Sequence, residues 1–179
     1  MGRQRHLMLV IVALIPILIA TGCYPSGPPG PTTTVLLVRH AERDNGSLNE
    51  AGLERADKLA HVAFKAGVTA IYTTDTERTR RTAQPLADLL KLDPLIYQVG
   101  SPDQIRELAT KVQRDHLGDV VLVVGHNPTV PLLIDALGGD STSCSIGTAY
   151  DEFDDLCIVT LYGSGKAKVV NLQYGKPSP

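Results

Sequence analysis

Tryptophan is absent from the 179 residues and aromatic side chains make up only 4% of them. A stacking platform for bases or a flat aromatic sugar-binding face is thereby excluded, and the core must be aliphatic. An excess of charge of one sign is also lacking. Seventeen Lys and Arg against 19 Asp and Glu leave a formal net charge of −2, with no global field to hold a polyanion, so nucleic acid drops out as a partner. The three cysteines include no C-x-x-C pair, which removes a thioredoxin-type redox site and a zinc knuckle. No G-x-G-x-x-G follows the first apolar strand, which removes a Rossmann dinucleotide site. No metal and no cofactor are therefore expected. What is present is a chain 43% hydrophobic, long enough for one domain with a substantial core.

The first residues read as an address. Arg3 and Arg5 precede an apolar run from Leu7 to Ala20, which is short for a membrane-spanning helix of about 20 residues and has the layout of a secretory signal. Ala20-Thr21-Gly22-Cys23 resembles the lipobox of bacterial lipoproteins. That resemblance implies a signal over 1–22, acylation of Cys23, and an extracytoplasmic, membrane-anchored domain. Residues 24–33, YPSGPPGPTT, contain too much Pro and Gly for a helix or strand interior and make an extended tether. The domain is thus expected over 34–179. Once Cys23 is set aside, Cys144 and Cys157 remain, and two readings stay open: a disulfide in an oxidising compartment, or Cys157 as a small buried hydrophobe in the run Leu156 to Leu161.

From Thr34 onward short β-branched runs alternate with amphipathic stretches. Thr34–Val38, Thr69–Thr73, Leu95–Gln98 and Asp119–Gly125 read as strands, the last of them central. Between them, Asn49 caps a helix carrying Ala51, Ala56, Leu59, Ala60 and Ala63 on one side and closed by Gly67. Thr76–Leu90 spaces Thr82, Leu86, Leu89 and Leu90 as a helix does, and a helix opened by Ser101-Pro102 aligns Ile105, Leu108, Ala109 and Val112. Thr129 caps a further helix through Leu137. Leu156–Leu161 and Val169–Leu172 form a closing hairpin about Gly163-Ser164-Gly165. Repeated strand-helix-strand units predict an α/β fold with three layers, a mainly parallel sheet covered by helices on both faces.

In such a sheet ligands bind beyond the carboxyl ends of the strands. Those ends carry Arg39-His40-Ala41-Glu42-Arg43, then Thr73-Thr74-Asp75-Thr76-Glu77-Arg78, then His126-Asn127-Pro128. A guanidinium fork clamps phosphoryl oxygens, and a neutral imidazole beside it can attack phosphorus in line. The set Leu37-Val38-Arg39-His40-Ala41-Glu42, Leu48-Asn49-Glu50-Ala51-Gly52, Tyr72-Thr73-Thr74-Asp75 with Arg78 and Thr82-Ala83, and Gly125-His126-Asn127 resembles the histidine phosphatase superfamily, with its phosphoglycerate mutase-like fold. The resemblance implies His40 as phosphoacceptor, Arg39 and Arg78 as phosphate ligands, His126 as a donor to the transferring oxygens and a small phosphorylated substrate. Arg43 is a candidate additional clamp.

The pattern also departs from the family. Many members protonate the leaving group with Asp directly after the second His, where this chain has Asn127, or with Glu in an insertion that the stretch from Pro85 to Gln104 lacks. That points to the compact phosphohistidine-phosphatase branch and to leaving groups that need little protonation. Glu42 could serve as the acid or as a structural acceptor. The polar stretch with Asp140, Tyr150, Asp151, Glu152, Asp154 and Asp155 is a candidate rim. His40-Ala41-Glu42 also matches the H-x-E half of zinc nucleotide deaminases, but their P-C-x-x-C is absent. The remaining rival is a lipid-anchored module that binds a phosphorylated ligand or partner without turnover.

Overall fold

The computed structural model describes residues 30–146, 149–163 and 165–178. The expected signal, Cys23 and most of the tether lie outside them. Strand β1 runs Thr33–Arg39, one residue longer at each end than expected. Thr33, assigned above to the tether, belongs to the domain because its hydroxyl donates to the His116 carbonyl and accepts from Gly118 N. A small hairpin follows, β2 (Arg43–Asp44) and β3 (Ser47–Leu48). Its turn, Asn45-Gly46, has positive φ at both positions, the geometry that suits a two-residue hairpin. Sequence reading passed over it because strands of two residues have no periodicity to detect.

Then come α1 (Glu50–Ala63), β4 (Val68–Thr74), α2 (Glu77–Leu90), β5 (Leu95–Tyr97), α3 (Pro102–Asp115), β6 (Val120–Gly125) and α4 (Thr129–Ala136). A 3-10 turn at Ser141–Ser143 precedes the hairpin β7 (Asp155–Leu161) and β8 (Ala167–Gln173). Asn49 caps α1 by accepting from Gly52 N, and Ser101 caps α3 by accepting from Gln104 N. Three expectations shift. Ala51 is exposed on α1, where Gly52, Arg55 and Ala56 face inward instead, and Leu89 is 56% exposed on α2. Thr129 is the first residue of α4 and not its cap; its hydroxyl accepts from His126 N and donates to His126 O, bracing that turn.

The sheet order is β5-β4-β6-β1-β7-β8. β5, β4, β6 and β1 are mutually parallel, and β7 runs antiparallel to both β1 and β8. Successive residues of β1 feed opposite faces: Val35 and Leu37 pack with Leu108, Val112, Leu133 and Ile134 of α3 and α4. Leu36 and Val38 pack with Leu59, Ala60, Ala83 and Leu86 of α1 and α2. Two aliphatic cores therefore clamp the sheet and set the height of every strand end. This is the three-layer, mainly parallel α/β fold that the sequence predicts.

Candidate active site

Register places the chemistry. Arg39 pairs with Gly125 across the β1/β6 ladder, and His40 N donates to the Gly125 carbonyl at 2.9 Å. The next residue on each strand is a histidine, so the His40 and His126 rings stand side by side, centroids 5.4 Å apart and inclined at 66°. Gly125 lets Tyr97 and the start of α4 pack against this strand end: a Cβ there would lie 2.9 Å from Tyr97 Oη and 3.0 Å from Val130 Cγ2. Gly52 has the same duty at the other wall. A Cβ there would lie 2.1 Å from the Glu42 carbonyl oxygen, so α1 can seat against the His40–Glu42 turn only without a side chain.

His40 is 3% exposed, and its Nδ1 donates to the Ala41 carbonyl at 2.8 Å, which leaves the Nε2 lone pair available. Burial first, then the charges of Arg39, His126 and Arg78, lower its pKa to about 3, against the bond to Ala41 that raises it. Burial, with Arg78, Arg39 and Arg43, lowers that of His126 to about 4. Both rings are therefore neutral near pH 7. His126 Nε2 lies 2.9 Å from Thr74 Oγ1 at the end of β4, and that hydroxyl is 3.0 Å from Thr79 Oγ1 and 3.2 Å from Thr76 Oγ1. Ala41 N donates to Thr82 Oγ1, whose own proton goes to the Arg78 carbonyl.

Among the described arginines, Arg55, Arg80, Arg81, Arg106 and Arg114 each have a carboxylate partner. Arg39, Arg43 and Arg78 have none, and all three depress His126. The Nε of Arg39 and of Arg78 are buried without a hydrogen-bond partner. Burial likewise lowers the pKa of both guanidinium groups, an effect that a bound anion would reverse. Arg39 Nη1 donates to the carbonyls of Tyr150 (2.5 Å) and Glu152 (3.0 Å), and its guanidinium lies 4.0 Å from the Phe153 ring centroid. A cavity of about 420 Å³ opens beside it, lined by Arg39, Arg43, Tyr150, Asp151 and Phe153 together with Glu42 and Asn49.

The candidate acid is occupied elsewhere. The Glu42 carboxylate accepts from Arg55 Nη2 at 2.6 Å and from Arg55 Nε at 2.9 and 3.0 Å, and Arg55 is 5% exposed. Asn127 Nδ2 donates to the Ala149 carbonyl. Of the acidic rim residues, Asp151 lines the cavity, Asp154 and Asp155 are buried, and Asp140 caps the 3-10 turn. His116 is distant in role: its Nε2 meets the Tyr72 hydroxyl at 2.9 Å. Cys144 and Cys157 are joined in a disulfide, Cα atoms 5.9 Å apart, which decides between the two readings left open. Among the described residues no group of His, Cys, Asp and Glu is arranged to hold a metal ion.

Sequence reasoning did not reach Arg55, Phe153 or the Thr74–Thr76–Thr79 cluster as a unit. The threonines had a signal, since they follow β4 as His40 follows β1. Arg55 and Phe153 had none, because a long-range side-chain partner leaves no periodic trace.

A family model described as the histidine phosphatase superfamily (branch 1) matches residues 30–99. No curated protein sequence matches the chain. Solved structures do. A protein assigned as an α-ribazole-5′-phosphate phosphatase from Escherichia coli K-12 superposes with a TM-score of 0.63 at 15% identity, covering 79% of this chain and 96% of that one. One assigned as the phosphohistidine phosphatase SixA from Agrobacterium tumefaciens gives 0.58 at 22%, covering 81% and 98%. Phosphoglycerate mutase from Plasmodium falciparum gives 0.55 at 20%, covering 83% and 94%. The likeness is one of fold.

Proposed function

We propose that this domain is a histidine phosphatase that transfers a phosphoryl group to His40 and then to water. The observation that carries the reading is a neutral His40 with Nδ1 committed to the Ala41 carbonyl, in the field of Arg39 and Arg78, which have no carboxylate partner among the described residues. In the first step the Nε2 lone pair attacks phosphorus, the N–P bond forms and the bond to the leaving group breaks. Arg39, Arg78 and His126 stabilise the charge spread over the equatorial oxygens without reorganising. In the second step water attacks phosphorus, the N–P electron pair returns to His40 and the water's proton passes to solvent.

The match of the superfamily model over residues 30–99 and the phosphatases and mutases among the structural neighbours support this reading. With Glu42 forked onto Arg55 and Asn127 after His126, neither of those two positions offers an acid free to protonate an alkoxide. Phosphoanhydrides and phosphoramidates, whose leaving groups need less protonation, fit best among small phosphorylated substrates. In the same reading Cys23 is acylated and the domain stands off a membrane outside the cytoplasm, an address with which the Cys144–Cys157 disulfide agrees. Labelled fatty acid should enter the full chain and not its Cys23→Ser variant.

Rapid quench after mixing with a ³²P-labelled aryl phosphate should yield acid-labile, alkali-stable label on His40. Label on a carboxylate or a serine overturns the assignment. A His40→Ala variant that binds vanadate and releases phosphate as the wild type does would instead favour the binding module.

A further inference from the structure

Phe153 covers the site, yet no sheet ladder holds it, since it precedes β7 by two residues. Its ring centroid lies 4.0 Å from Arg39 Cζ and 6.0 Å from that of His40. Its backbone N–H donates to Ser178 Oγ at 2.8 Å, and the Ser178 hydroxyl donates to Asp154 Oδ1 at 2.8 Å. Asp154 is 3% exposed, so this bond is shielded from water. The residues leading to Ser178 are themselves pinned. Tyr174 N donates to the Asp154 carbonyl at 2.8 Å, and the Tyr174 carbonyl accepts from Arg55 Nη1 at 2.9 Å. That is the same Arg55 that holds Glu42.

We propose that residues Tyr174–Ser178 form a strap over the back of the site, with Ser178 and Asp154 as positioning residues that press Phe153 onto Arg39. The inference rests on the phosphatase reading above. Arg39 is gripped from two directions by one short segment, through the carbonyls of Tyr150 and Glu152 and through the Phe153 ring. Segment 150–153 in turn is tied to the strap by Ser178. A fork that clamps phosphoryl oxygens must be held to within a fraction of an ångström, so the latch acts on phosphoryl affinity and not on the nucleophile.

The test is steady-state hydrolysis of an aryl phosphate, with inhibition by vanadate, on the whole domain. Ser178→Ala should raise KM and the vanadate Ki together by about five- to tenfold, while kcat falls by less and the thermal midpoint stays near that of the wild type. Ser178→Thr, which keeps the hydroxyl, should restore both. Lys176→Ala, which removes only the strap's ion pair with Glu54, should change neither. If Ser178→Ala does not fold, Phe153→Leu carries the test, since it retains apolar volume but loses the ring face over Arg39. A competent wild type whose Ser178→Ala or Phe153→Leu variant equals it in KM and Ki overturns the strap alone. A wild type that neither turns over aryl phosphate nor binds vanadate overturns the phosphatase reading and the strap together.

Discussion

His40 and His126 stand at the ends of strands whose neighbours on both sides are fixed by ladder hydrogen bonds and by fully buried Val and Leu. Tyr150 and Phe153, which close the site from above, rest on a few side-chain bonds, a disulfide at the start of their loop and a strap of five residues. The floor inherits its geometry from the whole core, so moving a histidine requires moving a strand. The roof has no such inheritance, and each of its contacts can be lost singly. In the proposed reaction the nucleophile is thereby placed on the rigid part, and the grip on the phosphoryl clamp Arg39 on the adjustable part.

The broadest effect, on stability and on chemistry together, should come from disturbing the floor's backbone. In an ordinary helix interior Gly→Ala stabilises by about 1 kcal/mol. At Gly52 the added methyl would meet the Glu42 carbonyl oxygen at 2.1 Å, a backbone atom that cannot swing aside. Gly52→Ala should therefore reverse the sign, destabilising by about 2 kcal/mol or more, and should displace the His40–Glu42 turn. Denaturant unfolding and phosphoryl transfer should both suffer. If stability rises as in an ordinary helix, the floor is less rigidly set than the comparison holds.

Reducing the Cys144–Cys157 bond probes the roof at its root. A closed loop of this length is worth about 3 kcal/mol in the unfolded chain. Cys157 is level with Leu37 in the middle of the sheet, whereas Cys144 begins the loop toward Tyr150. Reduction should lower the unfolding midpoint and raise KM more than it lowers kcat. An equal loss in both would mean that the disulfide supports the floor as well.

The division between floor and roof is also the division between what could and could not be read beforehand. Val120–Gly125 announces a central strand because its residues are apolar on both faces, and the same run delivers His126 to the rim where ligands bind. Asn49, Ser101 and the Ile105–Val112 stripe carry local signals for two helices, and both form as expected. Ladder register and helical period are written in neighbouring residues. The Arg39 carbonyl grip, the Arg55–Glu42 fork and the Ser178 latch join residues 13 to 113 positions apart, and none imposes a pattern on its own surroundings. Glu42 shows the difference most plainly. Its place two residues after His40 allowed an acid or a structural acceptor, and only the position of Arg55 reveals where its oxygens go.

A smaller effect tests whether the floor's polar bonds matter beyond its strands. Thr74→Val preserves the shape of β4 but leaves His126 Nε2 without its hydroxyl partner. The loss of one such bond is worth about 1 kcal/mol, or roughly a fivefold drop in kcat/KM, with little change in the unfolding midpoint. A larger fall would show that the Thr74–Thr76–Thr79 cluster acts as a unit.

Floor and roof should also differ in their response to pH. Both histidines titrate near 6.5 when the chain is unfolded and at about 3 and about 4 when it is folded, mainly because burial disfavours the charged ring. Between those values the unfolded chain binds the extra protons, so stability should fall as the pH drops from about 6.5 toward 4 and level off below the folded values. His126→Gln should flatten part of that slope, whereas Ser178→Ala, which adds or removes no titrating group on the roof, should leave it parallel to the wild type. A dianion seated among Arg39, Arg78 and the two rings opposes the field that depresses His126, so vanadate should bind with proton uptake, more tightly at pH 6 than the arginines alone would require. Parallel slopes for His126→Gln and the wild type would mean that this ring is already relieved of burial in solution, and that the floor is more open than its neighbours in the sheet imply.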